Sequence, residues 1–300
     1  MDVYDLIIVG GGPAGLTAGI YAQRSRLKTI LLEKLGLGGQ IVLSDLVENY
    51  PGFQKVSGIE LMQKFEEQAG ALGLVVEDGE VTMITDEGEY KSVKTHDRDY
   101  RAKSVIIASG SKPRRLGVKG EEELIGKGIS FCATCDGFFF RGKDVLLVGG
   151  GNSAITEALF LTKIVNKVYI VHRRSELRAE KILQERAFEN PLIEFVWDSV
   201  VEEIIGKDVV EGVVIRNVKT EERLKLAVGG VFVYVGITPN TEFIDVEKDE
   251  NGFILTDESL ATSIPGIFAA GDCRSTGLRQ VATAVGDGAL AATSAERYLG

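Results

Sequence analysis

Apolar residues in this chain fall into short blocks that end in glycine, and the arrangement repeats. Residues 4–9 form a mostly apolar run that stops at Gly10-Gly11-Gly12, as a parallel strand buried on both faces does. Pro13 suits the first turn of a helix that follows. Residues 28–32 read as a second strand, and residues 82–107 as three strands parted by polar turns at Asp86-Glu87-Gly88 and Asp97-Arg98-Asp99. That run closes at Ala108-Ser109-Gly110. The scheme then restarts. Residues 144–148 predict a strand ending in Gly149-Gly150-Gly151, residues 152–165 a helix, 168–171 a strand and 179–189 another helix. Short strands follow, the last over 231–235. A final strand at 267–270 and its helix form a separate tail. The pattern predicts an α/β fold of two doubly wound, three-layer units, each with a small antiparallel appendage. Segments 112–117 and 236–241, polar or rich in Gly and Pro, are candidate hinges.

Residues 6–23 carry no charge, yet they do not read as a membrane span. Gly10, Gly11, Gly12, Pro13, Gly15 and Gly19 interrupt them, and acidic Asp2 and Asp5 precede them instead of a basic leader. The chain is expected to be soluble and cytoplasmic, with no membrane partner. With 300 residues, 44% of them hydrophobic, it can bury the core of one or two domains. A net charge of −10 argues against a nucleic-acid partner, which would need clustered Lys and Arg. Three cysteines, Cys132, Cys135 and Cys273, make no disulfide framework.

Two glycine fingerprints carry the first candidate chemistry. Gly10-Gly11-Gly12-Pro13-Ala14-Gly15 fits GxGxxG between a strand and a helix: a tight turn, a close approach to a pyrophosphate, and close helix packing. The helix amino terminus favours the phosphate charge. Glu33, 23 residues after Gly10, closes the second strand where a carboxylate meets ribose hydroxyls. A plain glycine turn is the bland alternative. In the second copy, Gly149-Gly150-Gly151-Asn152-Ser153-Ala154, the same step lands on His172, with Arg173, Arg174 and Arg178 beyond it. Arginines clamp a 2′-phosphate that a carboxylate would repel, so the second nucleotide is predicted to be NADPH rather than NADH. The competing reading is a solvated basic helix start. His172 is expected to pack or stack near the adenine, without an acid-base role.

In Cys132-Ala133-Thr134-Cys135-Asp136 the cysteine pair closes 14 residues before Gly149 and so belongs to the second unit. Cysteines at this spacing form a small, often reactive disulfide. Zinc would want about four ligands, and beyond the pair only Cys273, His96 and His172 are of the usual soft type; no metal is expected. With these residues assembled, the chain closely resembles low-molecular-weight thioredoxin reductases over nearly its whole length. The marks are Cys-Ala-Thr-Cys-Asp-Gly at 132–137, Gly-Gly-Gly-Asn-Ser-Ala at 149–154 and His-Arg-Arg-Ser-Glu-Leu-Arg at 172–178. Gly-Gly-Gln at 38–40, Glu-Asn-Tyr-Pro-Gly at 48–52, Ala-Ala-Gly-Asp at 269–272 and Arg-Gln-Val-Ala at 279–282 agree.

That resemblance implies FAD as the first cofactor, bound by residues 1–113 with 242–300, into which an NADPH unit of residues 114–241 is inserted. It implies flavin contacts from Gly10, Gly12, Pro13, Ala14, Gly15, Glu33, Gly39, Gln40, Asn49, Ala108, Gly110, Gly271, Asp272, Arg279, Gln280, Val281 and Ala282. NADPH contacts would come from Gly149, Gly151, Asn152, Ser153, Ala154, His172, Arg173, Arg174 and Arg178. By the same resemblance NADPH reduces FAD, FAD reduces the Cys132–Cys135 disulfide, and the dithiol reduces thioredoxin. Cys135 would lie nearer the flavin, with Asp136 as the acid-base group; a helix cap is the plainer reading of Asp136. The helix starting near Gln280 would aim its amino terminus at the flavin. A homodimer and a rotation of one unit about the hinges are implied too.

Ser109 stands where the family usually has Thr. Cys273 is expected to be a small inert core residue, or else a third redox thiol. His96 and the acidic run 121–123 read as solvated, and Trp197 as a core residue in a strand. The glutathione-reductase layout is excluded, because residues 33–49 hold no cysteine. The start of the first strand at Tyr4 disfavours the peroxide-linked relatives, which carry an extra disulfide domain, and the arginines disfavour a thiol oxidase. The remaining alternatives are reduction of a glutaredoxin-like or peroxidase-linked partner, a flavin-binding redox sensor, or a zinc-held interaction module.

Overall fold

The structure is a computed structural model. It describes residues 3–44, 47 and 49–300; the side chains of Leu43, Thr134 and Cys135 lie outside the description. Two compact units divide the chain, Met1–Lys112 with Thr238–Gly300, and Pro113–Ile237.

In chain order, the first stretch gives β1 (Val3–Val9), α1 (Pro13–Arg24), β2 (Thr29–Glu33), α2 (Gly58–Ala71), β3 (Val75–Asp78), β4 (Val81–Asp86), β5 (Lys91–Thr95), β6 (Asp99–Ile107) and β7 (Ser111–Pro113). The second unit follows with α3 (Glu121–Leu124), β8 (Ile129–Ser130), α4 (Ala133–Asp136), β9 (Asp144–Gly149), α5 (Asn152–Leu161), β10 (Lys167–Val171) and α6 (Lys181–Phe188). It continues with β11 (Ile193–Val196), β12 (Ser199–Gly206), β13 (Val210–Asn217), β14 (Arg223–Leu226) and β15 (Val231–Tyr234). β16 (Ile237–Pro239) leads back to the first unit, which ends with β17 (Ile267–Ala269) and α7 (Val281–Leu299).

Among the described residues of the first unit, seven strands form one sheet in the order β3-β2-β1-β6-β5-β4, with β17 also on β6. β6 is long enough to serve twice: residues 99–102 pair antiparallel with β5, and 105–107 pair parallel with β17. Consecutive residues of the central strands go to opposite cores. Leu6, Ile8, Leu31 and Ile106 pack under the helices, while Ile7, Ile30, Leu32 and Val105 pack on the other face. Covering both faces is what requires the unbroken apolar runs. α1 and α7 cross so closely that a Cβ on Gly288 would collide with the Ala14 carbonyl.

The second unit repeats the logic with a five-stranded parallel sheet, β11-β10-β9-β15-β8, and a separate antiparallel sheet, β12-β13-β14. Val145 and Leu147 enter one core, Leu146 and Val148 the other. β7 and β16 pair as a two-stranded ribbon.

Some expectations change. α5 stops at Leu161, because the next N–H groups fold into turns, Lys163 to Phe160 and Ile164 to Leu161. Trp197 is not in a strand but in the turn between β11 and β12, half-buried and stacked on Phe195 at 4.8 Å and 4°. Glu121 is not solvated: it is 1% exposed and accepts the N–H groups of Leu116 and Gly117 at 2.8 and 2.6 Å. The loop entering this one-turn helix carries N–H groups that need an acceptor, and the Glu121 carboxylate supplies it. Glu122 and Glu123 are exposed, as is His96. No described helix is long and apolar enough to cross a membrane.

Candidate nucleotide and disulfide sites

The first fingerprint builds a crest of bare backbone. Gly10 sits at φ +107°, a region open to glycine, directly over the Ala108 carbonyl. A Cβ on Gly15 would collide with the Gly10 carbonyl oxygen, so only glycine lets α1 start there. Pro13 and Ala14 open the helix. Facing Gly12 is Gly39, whose own Cβ would stand 3.2 Å from the Gly12 Cα. Two side-chain-free backbones at a helix amino terminus admit a pyrophosphate. Glu33 closes β2 as expected, but most of its carboxylate is committed. Oε2 accepts the Gly11 N–H at 2.7 Å, and Oε1 accepts those of Lys34 and Leu35 at 2.8 and 3.0 Å. A carboxylate has about four acceptor positions, so one remains for a ribose hydroxyl. Gln40 is exposed in the 3₁₀ turn Gly39–Leu43.

Residues from the far end of the chain join this unit. Asn49 Nδ2 donates to Gln280 Oε1 at 2.8 Å, and Gln280 caps α7 in a reciprocal box with Thr283, just ahead of Val281 and Ala282. Gly110 accepts from the Asn240 N–H at 3.0 Å. Asp272 lies in the 3₁₀ turn Gly271–Cys273; burial raises its pKa, and Arg279 opposes that. The Arg279 guanidinium lies 4.0 Å over the Phe253 ring, and its buried Nε has no partner among the described residues. An unsatisfied buried donor beside a half-buried carboxylate is a polar wall that a cofactor would complete. Sequence reasoning missed the clamp behind it. Asp287 accepts the Gly271 N–H at 2.9 Å and both Arg274 Nε and Nη2, at 2.7 and 2.9 Å.

The second fingerprint is built alike. A Cβ on Gly150 would run into the His172 ring, while Gly151 is open. His172 is 5% exposed, meets Trp197 edge-on at 6.4 Å, and its Nε2 has no partner among the described residues. Burial lowers its pKa, and the three nearby arginines push the same way, which keeps the ring neutral. Asn152 exchanges two hydrogen bonds of 2.8 Å with Glu180, joining the starts of α5 and α6. Ser153 is exposed and Ala154 buried. Arg173, Arg174 and Arg178 line one cavity of about 400 Å³.

On the same unit, Cys132 is disulfide-bonded and half-buried, and Cys273 is a free buried thiol of the other unit. The side chain of Cys135 falls outside the described residues. Ser130 organises the turn: its Oγ donates to Asp136 Oδ2 at 2.6 Å and accepts the Cys132 N–H at 3.0 Å. Asp136 makes no side-chain cap bond to the 3₁₀ turn Gly137–Phe140, so the cap reading fails. The Ala133 N–H donates to the Tyr234 hydroxyl at 2.8 Å. Burial raises the pKa of Tyr234, with Glu157 and Asp136 adding to the effect, so it stays protonated. Behind the turn, Phe138 and Phe139 are 56% and 77% exposed. Among the described residues, no group of three His, Cys, Asp or Glu could hold a metal.

The family model of the pyridine nucleotide-disulphide oxidoreductases matches residues 4–288. The chain belongs to this family. The thioredoxin reductases within it use FAD and NADPH. A thioredoxin reductase of Peptoclostridium acidaminophilum is 45% identical over 99% of this chain and 98% of its own. The crystal structure of Lactococcus lactis thioredoxin reductase, in its FR conformation, is 48% identical, covers 99% of both chains and superposes with a TM-score of 0.95. The thioredoxin reductase structure from Streptococcus pyogenes is 50% identical over 99% of this chain and 98% of its own, with a TM-score of 0.67.

Proposed function

We propose that this chain is an NADPH-dependent thioredoxin-disulfide reductase that works as a cytoplasmic homodimer. FAD is held by the unit that carries Gly10, Glu33, Asp272 and Arg279. NADPH is held by the unit that carries Gly149, His172, Arg173, Arg174 and Arg178, and the redox pair is Cys132–Cys135 on that same unit. The observation that carries the reading is a disulfide-bonded Cys132 on a partly exposed turn, next to a serine-held carboxylate and two bare aromatic rings.

Bound FAD and NADPH supply the hydride and electron chemistry. The chain does the rest. The crest at Gly12 and Gly39 takes the pyrophosphate, and the capped start of α7 stabilises negative charge near the flavin. Ser130 fixes Asp136 Oδ2, and this carboxylate would pass protons to and from the thiols as the disulfide opens and closes. Phe138 and Phe139 offer a protein client an apolar landing close in the chain to Cys132.

Disulfide and nicotinamide ride on one unit, yet both must reach one flavin. We therefore infer a rotation about the β7–β16 ribbon. A cross-link between the units should abolish turnover; full activity in the cross-linked protein would refute the rotation.

Anaerobic NADPH titration tests the core of the proposal. The wild type should take up about four electrons and Cys135→Ser about two. A wild type that stops at two has no redox disulfide. A sensor would bleach with NADPH but not turn over with thioredoxin. Gel filtration with light scattering checks the dimer.

A further inference from the structure

The cavity on the second unit is lined from three separate stretches of chain. Arg173, Arg174 and Arg178 come from the segment after β10, Asp198 from the turn between β11 and β12, and Val218 and Lys219 from the β13–β14 hairpin. The sequence points to the first stretch alone.

We propose that Lys219 is a fourth phosphate-binding cation of this cavity and helps to set the preference for a coenzyme with a 2′-phosphate. The inference rests on the assignment of NADPH to this unit. Lys219 Nζ stands 2.9 Å from Asp198 Oδ2, with the lysine side chain 63% exposed and the carboxylate 17%. Asp198 is also a backbone junction. Its N–H donates to the Arg174 carbonyl at 3.4 Å, and its carbonyl accepts the Val218 N–H at 2.6 Å. It takes φ +51°, which Asp tolerates better than most residues. Asn217 Oδ1 accepts the N–H groups of Lys219 and Thr220, at 2.9 and 3.0 Å, and so fixes the hairpin tip. One residue thus ties the arginine segment to the hairpin and holds the ammonium at the cavity wall.

The charges favour a dianion. Four cations line the cavity against two carboxylates, Glu176 and Asp198. Arginines grip phosphate through a fixed fork, whereas a lysine adds a mobile point charge that can turn from Asp198 to the phosphate. A ligand without the 2′-phosphate gives Lys219 nothing to turn to.

The test uses the full-length protein and calorimetric binding of adenosine 2′,5′-bisphosphate and of adenosine 5′-monophosphate. Lys219→Ala should weaken the bisphosphate about tenfold, as loss of one charge-assisted contact does. It should leave the monophosphate and the melting temperature unchanged. Lys219→Arg should restore most of the loss, and the salt dependence of bisphosphate binding should be shallower in Lys219→Ala. Unaltered bisphosphate binding in Lys219→Ala, or an equal loss of both ligands, overturns the proposal. Arg173→Ala with Arg174→Ala is the control. If that double variant binds the bisphosphate normally, the NADPH assignment falls and takes this role with it. If it weakens binding while Lys219→Ala does not, only the role of Lys219 falls.

Discussion

At the scale of single residues, burial decides the chemistry. Asp272 has its pKa raised, chiefly by burial, from a reference of 3.8. The fold therefore disfavours its ionised form. That cost is absent below the unfolded value and complete above the folded one, so flavin-free protein loses stability as pH rises through the window between them. Asp272→Asn should raise the melting temperature of flavin-free protein at pH 7 and weaken FAD binding; a lower melting temperature would contradict this. Burial pushes the Cys273 thiol up to about 11, and the residue is 0% exposed. The thiolate is the reactive species, so native oxidised protein at pH 8 should resist iodoacetamide at this position and react only once unfolded. Mass spectrometry of the alkylated peptide reads the outcome. Glu121 answers two loop N–H groups from inside the second unit. Glu121→Ala should cost about 1–2 kcal/mol in denaturant unfolding, since it takes the acceptor from the Leu116 and Gly117 N–H groups.

At the scale of elements, close approach makes the sites. α7 lies against α1 at Gly288 and Ala14, where a methyl group meets backbone rather than a movable side chain. Gly288→Ala should force the helices apart, destabilise the first unit by about 1–3 kcal/mol and loosen FAD, because Ala14 belongs to the fingerprint. Denaturation and flavin retention on gel filtration report the two effects. On the second unit the His172 ring fills the place a Gly150 side chain would take. Gly150→Ala should displace that ring and weaken NADPH binding, while FAD stays bound at wild-type stoichiometry. Wild-type NADPH affinity in this variant would show that the ring position is irrelevant to the nucleotide.

At the scale of the whole chain, two units of like architecture were legible because each strand-turn-helix announces itself within about 30 residues. The apolar run, the glycines and the following amphipathic stretch are all local. The alternation of Leu6, Ile7 and Ile8 between two cores could likewise be read as a doubly covered strand. Arg173→Ala with Arg174→Ala belongs to this scale as well, since it tests whether the second unit is the NADPH unit. NADPH should be weakened far more than NADH, and equal losses in steady-state KM would count against the phosphate clamp. Less legible were the residues that one segment lends to another. Trp197 reads as a strand residue by its apolar neighbours but sits in a turn, and Glu121 reads as solvated in an acidic run but is buried.

The sequence by itself determined the two crests, the arginine segment and the short cysteine loop. Their geometry depends on residues within a few positions of one another, where backbone sterics and hydrogen-bond reach fix the outcome. Tertiary structure alone decided that Ser130 holds Asp136, that Tyr234 braces Ala133, that Asp287 clamps the turn bearing Asp272, and that Asp198 brings Lys219 to the arginines. Each of these joins side chains whose meeting depends on how separate elements pack, and no local periodicity carries that information.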